Sequence, residues 1–138
     1  MIDPLETVIA YLKWANQSSI LSTSQIASKD RYGENWAIPS AGVVVNLDGG
    51  TPEIYLPVQT VRLEVRCYGA TRPEAMSLLM EIVALSRSTL RTAVITSSGN
   101  GLLYYLNQDS GPSMLYDSEL GMDFALMFFE ASICETGV

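Results

Sequence analysis

The sequence predicts an α+β domain: an antiparallel sheet of four to five strands with two helices packed on one face. Three observations carry that expectation. Two segments combine helix-start residues with apolar side chains at helical spacing. The run Thr60–Tyr68 alternates apolar and polar side chains, the pattern of a sheet with one covered face. The strand-like runs come in groups, two between the helices and three after them, which favours segregated layers over a parallel βαβ weave. The 138 residues form one expected domain, 1–138. At this size roughly two-thirds of the open chain's surface is buried on folding, enough for one core.

In chain order, Asp3 stands where an N-cap belongs, Pro4 takes the first helical position, and Glu6 follows three residues after the cap. Leu5, Val8, Ile9 and Leu12 then form one apolar stripe, and the pattern fades near Asn16–Ser19. Residues 22–40 are rich in Ser, Thr, Gly, Asn and Pro around isolated Ile26, Trp36 and Ile38. They are expected to form a long surface loop with a short extended piece near Ile26, Trp36 packing on the domain edge.

Ala41–Leu47 is short and β-branched, as a buried strand should be. Asp48-Gly49-Gly50 and Pro52 punctuate a turn region before Thr60–Tyr68. Together the two runs predict a long hairpin with an extended tip. In Thr60–Tyr68, Val61, Leu63, Val65 and Cys67 are expected on the core face and Arg62, Glu64, Arg66 and Tyr68 on the polar one. The second helix follows, with Thr71 as cap, Pro73 in the first turn and Glu74 three residues after the cap. Its predicted stripe is Met76, Leu79, Met80, Val83 and Ser86, flanked by Leu78, Ile82 and Leu85.

Ala93–Ile95 and Leu102–Asn107 flank the turn signal Thr96–Gly101, so a second hairpin is expected there. Asp109–Leu120, with Gly111-Pro112 near its start, is expected to be a loop. Met122–Cys134 is the last strand, apolar on both faces from Phe124 to Phe129 and therefore central or covered on both sides.

Composition narrows the function classes. Apolar residues make up 48% and charged residues 17%, which excludes a disordered chain and leaves little polar surface to spare. A subunit of an assembly fits that balance better than a solitary monomer. The net charge of −7 and the lack of any basic stripe argue against sequence-specific nucleic-acid binding. No segment has the roughly 18–20 continuous apolar residues of a membrane span, and the N-terminus lacks signal-peptide character. Cys67 and Cys134 are expected to be two small core residues without a disulfide or redox role.

Chemistry-bearing patterns are scarce. Histidine is absent, which removes the commonest general base and metal ligand. No phosphate loop, dinucleotide fingerprint, nucleophile elbow or calcium loop occurs, so no cofactor or metal is expected. Paired carboxylates remain the one catalytic possibility, Asp117 with Glu119 or Asp123 with Glu130. Nothing in the pattern separates them from solvated charges, and the expectation is a protein that is not an enzyme.

The stretch Val61–Val83, VRLEVRCYGATRPEAMSLLMEIV, resembles the tail-terminator (tail-completion) proteins of long-tailed bacteriophages. Its features are an alternating Arg/Glu strand, a Tyr-Gly stop and a Thr-Arg-x-Glu-Ala helix start. MIDPLETVIAYL resembles that family's first helix, and DSELGMDFALMFFEA its closing strand. The resemblance implies a structural virion subunit, assembled in the bacterial cytoplasm into a homo-oligomeric ring that is usually a hexamer. Such a ring ends tail-tube polymerisation, meets the head connector, and lets DNA pass through its channel without sequence-specific binding. A heterologous ring needs two different complementary patches on each subunit. Candidates are the hairpin tip with Ile54, Tyr55 and Leu56, the strand cations Arg62 and Arg66, and a docking loop with Met114, Leu115 and Tyr116. The alternative for the tip is folding back on its own sheet, and for the arginines pairing within the strand's own neighbourhood. The alternatives are a head-completion or connector protein of the neck and, from another class, a monomeric protein-binding module.

Overall fold

The computed structural model describes residues 3–16, 25–27, 41–52, 58–88, 92–96, 99–118 and 120–136. Two helices, α1 (Pro4–Ala15) and α2 (Arg72–Ser88), pack on a curled six-stranded sheet with the outline of a half-barrel. The strands are β1 (Ile26–Ala27), β2 (Ala41–Pro52), β3 (Val58–Gly69), β4 (Thr92–Thr96), β5 (Gly99–Asp117) and β6 (Met122–Thr136). Their order across the sheet is β1-β2-β3-β6-β5-β4. Every pairing is antiparallel except β1 with β2. The expected α+β layer is therefore present, with one strand more than expected, the two-residue β1 at Ile26.

Both helix starts form as the sequence predicts. The Asp3 carboxylate accepts from the Leu5 and Glu6 backbone N–H groups at 2.9 and 3.3 Å. At α2, Thr71 Oγ1 accepts from Glu74 N at 3.5 Å, while the Glu74 carboxylate reaches back to Ala70 N at 3.2 Å. The α1 stripe buries Val8 and Leu12 with Leu5 and Ile9 half-buried beside them. The stripe expected on α2 is rotated. Ala75, Leu78, Leu79, Ile82, Val83 and Ser86 are buried, whereas Met80 is exposed. Ser86 is tolerated inside because its hydroxyl donates to the Val83 carbonyl at 2.7 Å.

The main core lies between the helices and one face of the sheet. β3 contributes Val61, Leu63, Val65 and Cys67, and β6 contributes Ala125, Met127, Phe129, Ala131 and Ile133. β6 pairs along most of its length with β3 on one side and β5 on the other; its apolar character on both faces follows because the main core covers one face and a smaller cluster around Phe124 covers part of the other. Cys67 is wholly buried, Cys134 is half-buried, and the two are not joined in a disulfide. Burial pushes the Cys67 thiol far up, so it stays protonated.

Two expectations need correction. Asp109–Leu120 is not a loop through most of its length: β5 continues to Asp117, paired with β6 through two register shifts, between Gln108 and Ser110 and between Ser110 and Ser113. Those shifts break the period-two pattern and let Gly and Pro sit in a strand, so the stretch looks like a loop in the sequence. Asp48-Gly49-Gly50 is likewise not a turn but a bulge inside β2, between the pairs Leu47/Leu63 and Gly50/Val61. Gly49 takes φ of 100° there, which favours glycine. The hairpin itself closes later, and its last described pair is Pro52 with Gln59. Residues 28–40, with Trp36, and residues 53–57 lie outside the described residues.

Candidate functional site

The sheet face turned away from the helices carries a cluster of charged and aromatic side chains, and alternation in β3 and β6 puts them there. Register sets Arg62 opposite Glu130, Glu64 opposite Phe128, Arg66 opposite Leu126, and Tyr68 opposite Phe124. Each arginine lies over the aromatic ring diagonal to it. The Arg62 guanidinium carbon is 4.2 Å from the Phe128 centroid, and that of Arg66 is 5.2 Å from Phe124. Both cations are therefore stacked on rings of the same chain.

Their charges are met within the chain as well. Arg62 Nη1 lies 3.2 Å from Asp48 Oδ2, its Nε lies 2.9 Å from Asp109 Oδ2, and its Nη2 donates to Ser110 Oγ at 3.3 Å. The Nε contact is close but off the N–H direction, an ionic contact rather than a hydrogen bond. Arg66 Nε donates to Glu64. Burial pulls the Arg66 pKa down, but hydrogen bonds with Tyr68 and Glu64 outweigh it and leave the guanidinium more firmly protonated than usual.

Tyr68, expected on a solvated face, is fully buried there. It forms a second small core with Val44 and Phe124, flanked by Leu120, Met122 and Leu126. Its ring centroid is 5.0 Å from that of Phe124. Its hydroxyl donates to Asp117 Oδ2 at 3.1 Å, and burial followed by that carboxylate raises its pKa despite the opposing pull of Arg66. Asp117 Oδ1 also accepts from Leu120 N at 3.2 Å, so one carboxylate ties the β5–β6 turn to β3.

The other predicted residues fall as follows. Met114 packs half-buried against the main core, while Leu115 is 46% and Tyr116 65% exposed near the end of β5. All three lie in strand β5 rather than in a loop. Ile54, Tyr55 and Leu56 lie outside the described residues, as does Glu119. Asp123 and Glu130 stand an odd number of positions apart on one strand, hence on opposite faces of the sheet, and do not converge. Glu130 instead accepts from the Tyr105 hydroxyl at 2.7 Å, and that bond and burial raise the tyrosine's pKa.

Sequence reasoning passed over two other exposed apolar residues, Trp14 at 76% and Leu47 at 47%. Trp14 could have been found, because it lies off the stripe that α1 buries. Leu47 could not, because its exposure arises at the bulge. Among the described residues, no three His, Cys, Asp or Glu side chains gather as metal ligands, and no helix is long and apolar enough to cross a membrane. What this arrangement offers chemically is a stitched, charge-compensated sheet face. No protein-family model matches the chain, and no curated protein is significantly similar to it.

Proposed function

We propose that the chain is a structural subunit of a tailed-bacteriophage virion that forms a ring at the head-proximal end of the tail. In that role it ends tail-tube polymerisation and joins the tail to the head connector, with DNA passing through the channel unread. The observation that carries the proposal is the contiguous strand–stop–helix unit at residues 61–83. There the Arg/Glu strand β3 ends at Gly69 and the chain turns straight into α2. The exposed Trp14, Leu115 and Tyr116 supply apolar surface of the kind that subunit contacts cover. The tip residues Ile54, Tyr55 and Leu56 remain a proposed contact with a neighbour or the tube.

A second reading, a monomeric protein-binding module, draws support from one specific observation. Arg62 and Arg66 are paired within their own chain, which leaves them less available to a neighbouring subunit. Native mass spectrometry with negative-stain imaging, with and without isolated tail tubes, separates the two. A ring in solution, or one that forms on tube ends, is the expected result. A ring that ignores tubes and binds the portal-side adaptor would reassign the protein to the neck connector. A monomer indifferent to tubes at high concentration would leave the binding module standing.

A further inference from the structure

Arg62 occupies an unusual position relative to the two irregularities of the sheet. In β2 the bulge places two residues, Asp48 and Gly49, opposite the single residue Arg62 of β3. In β5, Gln108 pairs with Phe129 and Ser110 with Phe128, so Asp109 is an inserted residue with no partner position on β6. The two aspartates that contact Arg62 are thus the extra residues of two separate bulges, one on each side of the β3–β6 pair. An inserted residue leaves the strict in–out alternation, and here both insertions bring a carboxylate to the same guanidinium. Ser110, next in β5, accepts from the same group, and the Phe128 ring forms its floor.

We infer that Arg62 is a clasp coupling the β2 bulge to the β5 bulge, so that the two irregular strands hold or loosen together. This inference does not depend on the proposed ring. Any one pair would contribute little, because the side chains of Arg62, Asp48 and Asp109 are 43%, 39% and 43% exposed. A planar guanidinium can nevertheless meet two carboxylates and a hydroxyl at once while stacked on a ring, which a lysine ammonium does not do. Bulges locally increase strand twist, so a group that fixes two of them also fixes where the sheet curls. The clasp spans four strands, from β2 across β3 and β6 to β5, with one side chain.

Amide hydrogen exchange on the intact chain tests this. In Arg62→Met, which keeps an apolar stem over Phe128, the amides of residues 47–50 and 108–111 should exchange faster together, by about five-fold. Those of the β4–β5 pairing and of α2 should keep their wild-type rates. A response at only one bulge, at neither, or uniformly across the sheet would overturn the clasp. Should that variant fail to fold, Asp109→Asn decides the matter: faster exchange at residues 47–50 of β2, beyond the two intervening strands, supports the coupling. A change confined to β5 removes it.

Discussion

Gly69 stands where β3 gives way to α2, and its missing side chain is a packing requirement. A Cβ at this position would lie 2.5 Å from Ala75 N and 3.0 Å from Glu74 Cβ, inside the first turn of the helix. Backbone cannot withdraw as a flexible side chain can, so Gly69→Ala should cost about 2 kcal/mol or more in urea unfolding. An unchanged midpoint would mean that the junction is looser than the packing indicates. Tyr68, one residue earlier, makes a different prediction. Loss of its hydroxyl in Tyr68→Phe should cost about 1 kcal/mol at neutral pH. Because the folded state raises this phenol above its ordinary value of 10.0, folding favours the protonated form. That stability is fully present below pH 10 and lost as pH rises through the folded value. Wild-type melting temperature should therefore fall more steeply above pH 10 than that of Tyr68→Phe, and parallel profiles would contradict the assignment. The sequence placed Tyr68 on the correct face, but it could not show that the β5–β6 turn folds over it.

Among the elements, α1 was the most legible because its signals are local. Asp3, Pro4 and the stripe all lie within a few turns of one another; Asp3 and Pro4 do what their positions predict, and Val8 and Leu12 of the stripe are buried, joined by Thr7 and Tyr11. Asp3→Ala leaves the Leu5 and Glu6 amides without their acceptor and should cost about 1 kcal/mol, read as lower thermal stability. Asp3→Asn should recover most of it. β5 was legible only as far as Asn107, because beyond that point its partners are set by β6 and not by its own composition. Bulged strands lose period-two patterning, and the rotated stripe of α2 shows a related limit. Met80 is as apolar as Leu78, and only packing against β3, β5 and β6 decides which of them turns inward. The Arg62 cluster was half visible for the same reason: both arginines could be placed on one face, but the carboxylates that meet Arg62 come from distant bulges.

At the scale of the molecule, the main core is finished without Leu115 or Tyr116, which leaves them available for association rather than folding. Replacing both with serine should therefore leave the urea midpoint close to wild type while weakening the proposed ring in native mass spectrometry. A large loss of stability would show instead that they support the fold, and an undiminished ring would exclude this end of β5 from the subunit contact. The layer architecture was legible because strand grouping and helix caps are properties of the chain itself. Oligomeric partners are not, since they depend on surfaces that the composition leaves unlocated.

The place of β6 in the sheet has a consequence for biosynthesis. β6 follows all five other strands in the chain, yet it lies between β3 and β5 and joins the two halves of the sheet. During translation both halves leave the ribosome before the strand that unites them, exposing the open sides of β3 and β5 to water and to other nascent chains. Closure of the sheet must await β6, and the pairings that complete it include contacts between residues as remote as Val58 and Cys134. Such long-range closure is slow and leaves time for chaperone capture. A ribosome stalled before Met122 is expected to display a protease-sensitive chain, whereas one stalled within a linker fused after Val138, long enough to bring β6 out of the exit tunnel, displays the protected domain.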